Sequence, residues 1–392
     1  MTQRPDVTGP LPGDSRALTS VAVQFFVNGL VVASFVPRLP EIRDRIDVST
    51  GVLGVLLACG GVAGFAGSAM VGPLISRFGT RRLLIGAGVV LVAALAVVGL
   101  ATTPVVFLAG LLFLWSSDVL VDSAMNLQGS WISGRRRVPV MNRLHGLWSL
   151  GTVVGGVTAA RAASSGVSLR THLLVAALVF FCVLVFVGRG LLVDDEHAGE
   201  DEIVDGGSSP IRRRTGPLVL LALGGACSLV MEMTSSDWAA FRLSDDFGAS
   251  AGVAGLAYVA FTAGMTLGRF GGDWAIARFG RQRVFNTAIA VTLAALVTAS
   301  FAPDRWLVVA AYVVAGLGIA TQFPKLYDDA AKHRGRPGAG LAALSAGSRL
   351  ASMTAPAIVG VLAASSLSVG SATALLTIPA ALAFIALALR SR

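Results

Sequence analysis

Acidic and amide side chains recur at four-residue intervals inside one long apolar run of the chain. Asp118, Asp122 and Asn126 fall at positions i, i+4 and i+8, so a helix places all three on one face. Two carboxylates stacked in this way repel each other, which favours binding of a proton by one of them. Because a carboxylate in a membrane-crossing helix costs about 2.5–3.5 kcal/mol, the pair suggests a proton-binding role. The alternative is structural, with either aspartate pairing with an arginine or capping another helix.

Other polar side chains interrupt further apolar runs. Glu232 has no charged neighbour in the preceding turn, and His145 lies near the start of its run, so both are candidate proton carriers. A purely structural role is the alternative for His145. Candidates for binding a polar ligand are Gln24, Asn28, Asn126, Trp148, Gln322 and Arg349. Helix packing is the alternative role of the first two amides, and Arg349 is also a candidate ion-pair partner for Glu232 or Asp122.

The apolar runs that carry these residues are long enough to cross a membrane. Of the 392 residues, 54% are hydrophobic and only 14% are charged, whereas about a quarter are charged in soluble domains. The mean hydropathy is +0.75. A membrane-crossing helix needs about 20 apolar residues, and the chain divides into twelve such runs. They span about 18–37, 50–74, 83–102, 105–132, 139–162, 170–190, 216–240, 250–276, 284–302, 306–330, 339–364 and 369–389.

The net charge of +9 is concentrated in short arginine clusters between the apolar runs. With twelve spans these clusters all lie on one side of the membrane, so the positive-inside rule places both termini in the cytoplasm. The clusters form no basic face interleaved with aromatic residues, so we expect no nucleic-acid partner. The three cysteines lie inside apolar runs without metal-ligand spacing. We therefore expect no disulfide, metal or other cofactor.

A short basic turn occurs twice, 201 residues apart. The stretch LISRFGTRR contains Arg77, and the stretch AIARFGRQR contains Arg278. The same offset maps Gly146 onto Gly347, which indicates two six-helix repeats. We therefore predict an all-α membrane protein with twelve transmembrane helices in two pseudo-symmetric six-helix bundles. The predicted parts are a disordered tail (1–17), a first bundle (18–190), a cytoplasmic linker (191–215) and a second bundle (216–392).

The stretch GPLISRFGTRR resembles the loop signature of the major facilitator superfamily, which follows the second helix. Gly72, Arg77, Gly79 and the following arginines match the signature, whereas Ser76 replaces its usual aspartate. The stretches PRLPEIRDRIDVSTGVLG, DSAMNLQG, HGLWSLG, EMTSSDW and GRFGGD are similar to a bacterial branch of the superfamily with distant similarity to fucose permease. The resemblance covers nearly the whole chain. It implies a multi-pass protein of the bacterial inner membrane that carries a small solute.

In this family the loop latches the two halves in one conformation, and the resemblance implies the same role here. The residues concerned are Gly72, Arg77, Gly79, Arg81, Arg82, Arg269, Asp273, Arg278 and Gly280. Arg269 and Asp273 are four residues apart, so we expect an ion pair along one helix. Because Ser76 lacks a carboxylate, the alternative is that these arginines only fix the topology.

No G-x-x-x-x-G-K-[ST] motif and no metal or nucleophile constellation occurs, so neither ATP-driven transport nor an enzyme is expected. The expected function is secondary active transport by alternating access, with proton-coupled symport of a sugar or polar metabolite. Drug or metabolite efflux by antiport is the first alternative. A membrane sensor that binds its ligand without moving it is the second. The expected partners are a small-molecule substrate, protons and the lipid bilayer, and we expect a monomer.

Overall fold

The computed structural model describes residues 12–136, 138, 140–193, 216–331 and 339–390, without the side chains of residues 12, 13, 273, 328, 331 and 390. These residues form helices joined by short connections, and no β-strand occurs among them, so the predicted all-α class is confirmed. A 3₁₀ helix, Val36–Arg38, joins the first two α-helices. The α-helices are α1 (Pro12–Phe35), α2 (Leu39–Arg45), α3 (Thr50–Phe78), α4 (Thr80–Leu100), α5 (Pro104–Arg136), α6 (Met141–Ser164), α7 (Leu169–Gly188), α8 (Gly216–Asp237), α9 (Ala239–Phe247), α10 (Ala251–Phe279), α11 (Arg281–Phe301), α12 (Arg305–Ile319), α13 (Gln322–Ala331), α14 (Ala339–Ala363) and α15 (Val369–Arg390).

In the described part of the chain, eleven helical segments are long and apolar enough to cross a membrane. The span predicted at 306–330 consists of two helices, α12 and α13, because the chain turns at residues 320–321 just before Pro324. The long helix α6 lies outside the eleven. It carries Arg143, His145 and Arg161, which make it more polar than the other long helices.

The first helix begins earlier than the sequence predicted. α1 begins at Pro12, inside the segment 1–17 that we expected to be disordered. Ala17 is fully buried, and the Asp14 carboxylate forms an ion pair with Arg135 of α5 at 2.7 Å. A tertiary contact that composition does not reveal therefore holds the start of α1. The rest of the predicted tail, residues 1–11, lies outside the described residues.

The predicted linker 191–215 is described only as far as residue 193. Leu191 and Leu192 are buried. The side-chain amide of Gln128 on α5 donates to the Leu192 carbonyl oxygen and accepts from the Leu192 backbone N–H, each at 3.0 Å. The first residues of the predicted linker are therefore held against α5. Residues 194–215 lie outside the described part of the chain.

The helices of residues 12–193, here called the first half, pack in pairs that recur in residues 216–390, the second half. In the first half α1 packs on α6, α3 packs on α5, and α4 packs on α5 and α7. In the second half α8 packs on α14, α10 packs on α12, and α11 packs on α12 and α15. The two halves meet along two long interfaces, one between α3 and α14 and the other between α6 and α10.

The repeated basic turn adopts nearly the same backbone in its two copies. Gly79 separates α3 from α4 with φ 76° and ψ 159°, and Gly280 separates α10 from α11 with φ 84° and ψ 142°. Each glycine N–H donates to an isoleucine carbonyl oxygen four residues earlier, at 2.8 Å from Ile75 and 2.9 Å from Ile276. Glycine adopts a positive φ without the steric cost that other residues incur, which explains its place in both copies.

Candidate functional site

One end of the molecule, which contains α2 and α9, holds the two halves tightly together and is called here the closed end. A methyl group placed on Gly54 of α3 would lie only 2.5 Å from the Pro356 carbonyl oxygen of α14. The Arg43 guanidinium on α2 forms an ion pair with Asp245 on α9 and lies 5.4 Å from the centre of the Phe241 ring. Small residues and an ion pair therefore join the halves at this end.

The opposite end contains the turns at Gly79 and Gly280 and is called here the open end. A methyl group placed on Gly72 of α3 or Gly271 of α10 would meet no atom within 4 Å. Among the described residues, no hydrogen bond between side chains of the two halves lies in the last two turns of these helices. The halves are therefore separated at the open end.

The predicted acidic face of α5 contacts α1 through Asn28. Asn28 Nδ2 donates to Asp118 Oδ1 at 3.1 Å, and Asn126 Nδ2 donates to the backbone oxygen of Asp122 at 2.8 Å. Both carboxylates are partly exposed although they lie midway along α5, and their charges are close enough to interact. Gln24 and Asn28 are buried on α1. Neither aspartate forms a salt bridge within the described residues, so no fixed cation balances the pair.

The second acidic position, Glu232 on α8, has a cationic partner. Arg269 of α10 lies 3.7 Å from the Glu232 carboxylate, and the two side chains are 31% and 23% exposed. Arg269 Nη1 donates to the Ser149 hydroxyl of α6 at 2.8 Å and lies over the Trp148 ring, 5.7 Å from its centre. Arg269 therefore bridges the halves instead of acting only along its own helix. The side chain of Asp273, its expected partner, lies outside the described residues.

His145 lies one turn before Trp148 on α6 and is exposed. Its ring packs edge-on against Phe25 of α1, with 5.2 Å between the ring centres. The charge of Arg269 is near enough to act on the imidazole. The structure thus brings His145 close to the Glu232–Arg269 pair, where it stays a candidate proton carrier.

Arg349 on α14 points to the first half and not to either of its expected acidic partners. Its Nη1 donates to the Ser68 hydroxyl of α3 at 3.0 Å, and the guanidinium lies 5.6 Å from the centre of the Phe65 ring. Glu232 pairs with Arg269 instead. The expectation that Arg349 pairs with Glu232 or Asp122 is therefore not met in the structure, because α14 directs this side chain across its interface with α3.

Gln322 does not join the other candidate ligands. It begins α13, is fully buried, and donates from Nε2 to the Thr292 hydroxyl of α11 at 3.2 Å. The turn between α12 and α13 directs the amide into the packing between α13 and α11. We therefore leave Gln322 out of the site proposed below.

The described contacts of the basic-turn arginines expected in the latch lie within their own half. Arg77 lies over its neighbour Phe78, 5.3 Å from the ring centre, and Arg81 Nε donates to the Gly188 carbonyl oxygen at 3.1 Å. Arg82 and Arg278 are exposed. The Ser76 hydroxyl, which replaces the family's aspartate, donates to the Pro73 carbonyl oxygen of its own helix at 3.0 Å. The printed contacts of Arg77, Arg81 and Ser76 lie within the first half, and among the described side chains no carboxylate of the second half pairs with Arg77 or Arg81.

Comparison with known proteins identifies the family. A model of the Major Facilitator Superfamily matches residues 21–241 and 220–392, which together span nearly the whole chain. The chain belongs to this superfamily. Its members are transporters and not enzymes, and they bind small molecules within a membrane. The chain is therefore a multi-pass membrane transporter, as the resemblance of its basic turn implied.

Two bacterial relatives align with this chain over most of their length. An uncharacterized MFS-type transporter of Yersinia pestis is 28% identical over 359 residues, which cover 90% of this chain and 88% of that protein. The membrane protein MosC of Rhizobium meliloti is 26% identical over 323 residues, which cover 82% and 77% of the two chains.

Two solved transporter structures share the fold at low sequence identity. The nucleoside transporter NupG is 12% identical with a TM-score of 0.71, over 97% of this chain and 98% of that one. The human organic anion transporter MFSD10 is 16% identical with a TM-score of 0.68, over 97% and 100%.

Sequence analysis missed Ser68 and Ser149, which accept hydrogen bonds from Arg349 and Arg269. Serine is common in apolar helices, where its hydroxyl usually bonds to its own helix, so composition gives no signal. The internal repeat does give a signal, because the offset of 201 residues maps Ser68 onto Arg269 and so places the serine at the position equivalent to the arginine.

Proposed function

We propose that the chain is a proton-coupled secondary transporter that moves a small polar solute by alternating access. In this proposal α12 and α13 form one interrupted span and α6 crosses the membrane, which gives twelve spans in two bundles, 18–190 and 216–392. The corresponding helix pairs of the two halves support a pseudo-symmetric arrangement. The solute site lies between the halves, near the middle of the bilayer.

The observation that carries the proposal is the acid pair on α5. Asp118 and Asp122 are partly exposed, interact electrostatically and have amide partners but no described salt bridge. Two carboxylates in a membrane interior are costly, so their presence there indicates a functional role. Binding of a proton removes the charge of one of them. When this charge is lost or gained, the relative stability of the inward-open and outward-open states changes.

The arrangement of charge supports the orientation. The basic turns at Gly79 and Gly280 lie at the open end, and the positive-inside rule places such turns in the cytoplasm. Both termini then lie in the cytoplasm of a bacterial inner membrane. The structure corresponds in this proposal to the state that is open to the cytoplasm.

The solute we propose is a sugar or a related polar metabolite. Gln24, Asn28 and Asn126 supply amide donors and acceptors, and Trp148 supplies a ring face, a combination suited to a hydroxylated molecule. The sequence resemblance to the branch with distant similarity to fucose permease favours the same class. Glu232 and His145 are the additional proton-carrying candidates, and Arg349 is a further polar group between the halves.

The test is uptake of radiolabelled sugars and polar metabolites by proteoliposomes with and without an inward-directed proton gradient, with solute counterflow as the measure of exchange that needs no gradient. We expect one class of polar solute to accumulate, with the accumulation lost when the gradient is collapsed. Solute loss from preloaded vesicles under the same gradient establishes efflux by antiport instead. Binding of a solute without counterflow establishes a sensor. Both results contradict the proposal.

A further inference from the structure

The described hydrogen bonds between the two halves occur at two levels. One level is the closed end, where the ion pair between α2 and α9 lies. The other level lies deeper along the two long interfaces. There Arg269 Nη1 donates to Ser149 Oγ at 2.8 Å, and Arg349 Nη1 donates to Ser68 Oγ at 3.0 Å. Each long interface therefore carries one arginine–serine contact.

The two arginine contacts are built from the same parts. Each guanidinium extends from the second half and lies over an aromatic ring of the first, Trp148 for Arg269 at 5.7 Å and Phe65 for Arg349 at 5.6 Å from the ring centre. A cation over an aromatic face is stabilised by the negative charge density of the ring. A planar guanidinium stacks and donates a hydrogen bond at the same time, which an ammonium group does less well.

The two contacts also occupy equivalent places in the repeat. The offset of 201 residues between the two basic turns maps Ser68 onto Arg269 and Trp148 onto Arg349. Arg349 lies ten residues after the start of α14, and Arg269 lies ten residues before the end of α10. At about 1.5 Å per residue, about 15 Å of helix separates each arginine from the open end.

The halves part within about two turns of these contacts, since between α6 and α10 the Phe270 ring still lies against Gly146, one turn nearer the open end. Towards the closed end, a methyl group on Gly61 would lie 2.7 Å from the Ser352 carbonyl oxygen, and one on Gly156 would lie 3.0 Å from the Tyr258 ring. Towards the open end, a methyl group on Gly72 would meet no atom within 4 Å. Among the described residues, the arginines therefore form the last hydrogen bonds between the halves before the halves separate.

We propose that Arg269 and Arg349 are paired positioning residues that hold the two halves in the state open at the Gly79–Gly280 end. Each contact breaks when the halves rock to the opposite state, so the four partners set the balance between the two states. The inference rests on the alternating-access function proposed above and adds the contacts that stabilise one of its states. Arg349 gives the cleaner test, because Arg269 also neutralises Glu232.

The experiment measures which end is accessible in a protein whose three cysteines, Cys59, Cys182 and Cys227, are replaced by alanine. Gly72→Cys reports on the open end. Val359→Cys reports on the closed end, where Val359 is fully buried in a cluster with first-half residues. A membrane-impermeant maleimide is applied to vesicles of both orientations. Each reporter is combined in turn with Arg349→Gln, Ser68→Ala and Ser149→Ala.

We expect all three changes to slow labelling of Gly72→Cys and to speed labelling of Val359→Cys several-fold. Thr354→Ala is the matched control on α14, because its hydroxyl bonds only to the Leu350 carbonyl oxygen of its own helix. It should leave both rates unchanged. Thermal unfolding of each purified variant verifies that the variant is folded, and the two serine changes remove no charge.

Unchanged labelling in the folded Ser68→Ala and Arg349→Gln variants overturns the inference. A labelling shift caused by Ser68→Ala but not by Ser149→Ala, or the reverse, also overturns the inference, because the two contacts are proposed to act as a pair. Labelling needs no solute, so the two proposals fail in different ways. A labelling shift in a chain that transports no solute contradicts the proposed function, whereas unchanged labelling with intact proton-driven uptake contradicts only this inference.

Discussion

The first and second halves each place carboxylate groups between helices, but the described partners of these carboxylates differ. On α5 the charges of Asp118 and Asp122 lie close enough to interact, and the Asn28 amide donates to Asp118. On α8, Glu232 has a guanidinium at 3.7 Å, and that guanidinium is itself held by a serine of the other half. Among the described residues, one site therefore contains acids without a salt bridge and the other contains an ion pair.

This difference indicates separate roles for the two acidic positions. An acid pair without a fixed cation is relieved by binding a proton, so its charge depends on the surroundings. An acid with a fixed cation keeps its charge, and its loss leaves the cation unbalanced in a medium of low polarity. We therefore propose that proton coupling depends first on the α5 pair and that Glu232 has a mainly conformational role, and the following changes test this proposal.

Neutralising the α5 pair should have the largest effect. In Asp118→Asn and Asp122→Asn the side chain keeps its shape but no longer gains or loses a charge. We expect the double variant to lose accumulation driven by a proton gradient while it keeps exchange of solute at equal concentrations, measured as counterflow in proteoliposomes. Gradient-driven accumulation at the level of the unchanged protein would remove the α5 pair from the mechanism.

Neutralising Glu232 should have a smaller effect that a second change partly reverses. Glu232→Gln leaves Arg269 without its counter-charge, at a cost of about 1–2 kcal/mol, between the values for exposed and buried ion pairs. Glu232→Gln with Arg269→Gln removes both charges, so we expect its thermal stability to exceed that of Glu232→Gln alone.

The measurement is a double-mutant cycle on the unfolding midpoint and on the rate of counterflow. Additive effects of the two changes would show that the ion pair contributes no coupling. Complete loss of gradient-driven accumulation in Glu232→Gln, with counterflow intact, would move proton coupling from α5 to α8.

The sequence predicted the architecture well because its signals are local. Apolar runs of about 20 residues locate the membrane helices, and the two Arg-Phe-Gly turns indicate the repeat, since glycine is the residue that tolerates their positive φ. It misplaced the start of α1, which depends on an ion pair between Asp14 and Arg135, over a hundred residues apart. Such contacts exist only after folding and leave no pattern in composition.

The candidate site was predicted in part for the same reason. The i, i+4, i+8 spacing correctly placed Asp118, Asp122 and Asn126 on one face of a helix, because that depends on helix geometry alone. Partner choice was not predictable. Arg349 was a candidate partner for Glu232 or Asp122 but bonds to Ser68, because the direction of a side chain depends on how α14 packs on α3.

The smallest expected effect concerns Asn28, whose amide on α1 donates to Asp118. Asn28→Ala removes the hydrogen bond to Asp118, and a hydrogen bond to a charged group contributes about 1.5–3 kcal/mol when water does not replace it. Asp118 is partly exposed, so water replaces much of this bond, and we expect only a few-fold slower counterflow with gradient-driven accumulation retained. Ser34→Ala is the matched control on α1, because its hydroxyl bonds to the Leu30 carbonyl oxygen of the same helix. A loss of accumulation as complete as that of the double aspartate variant would show that Asn28 sets the charge of the pair and is not merely its neighbour.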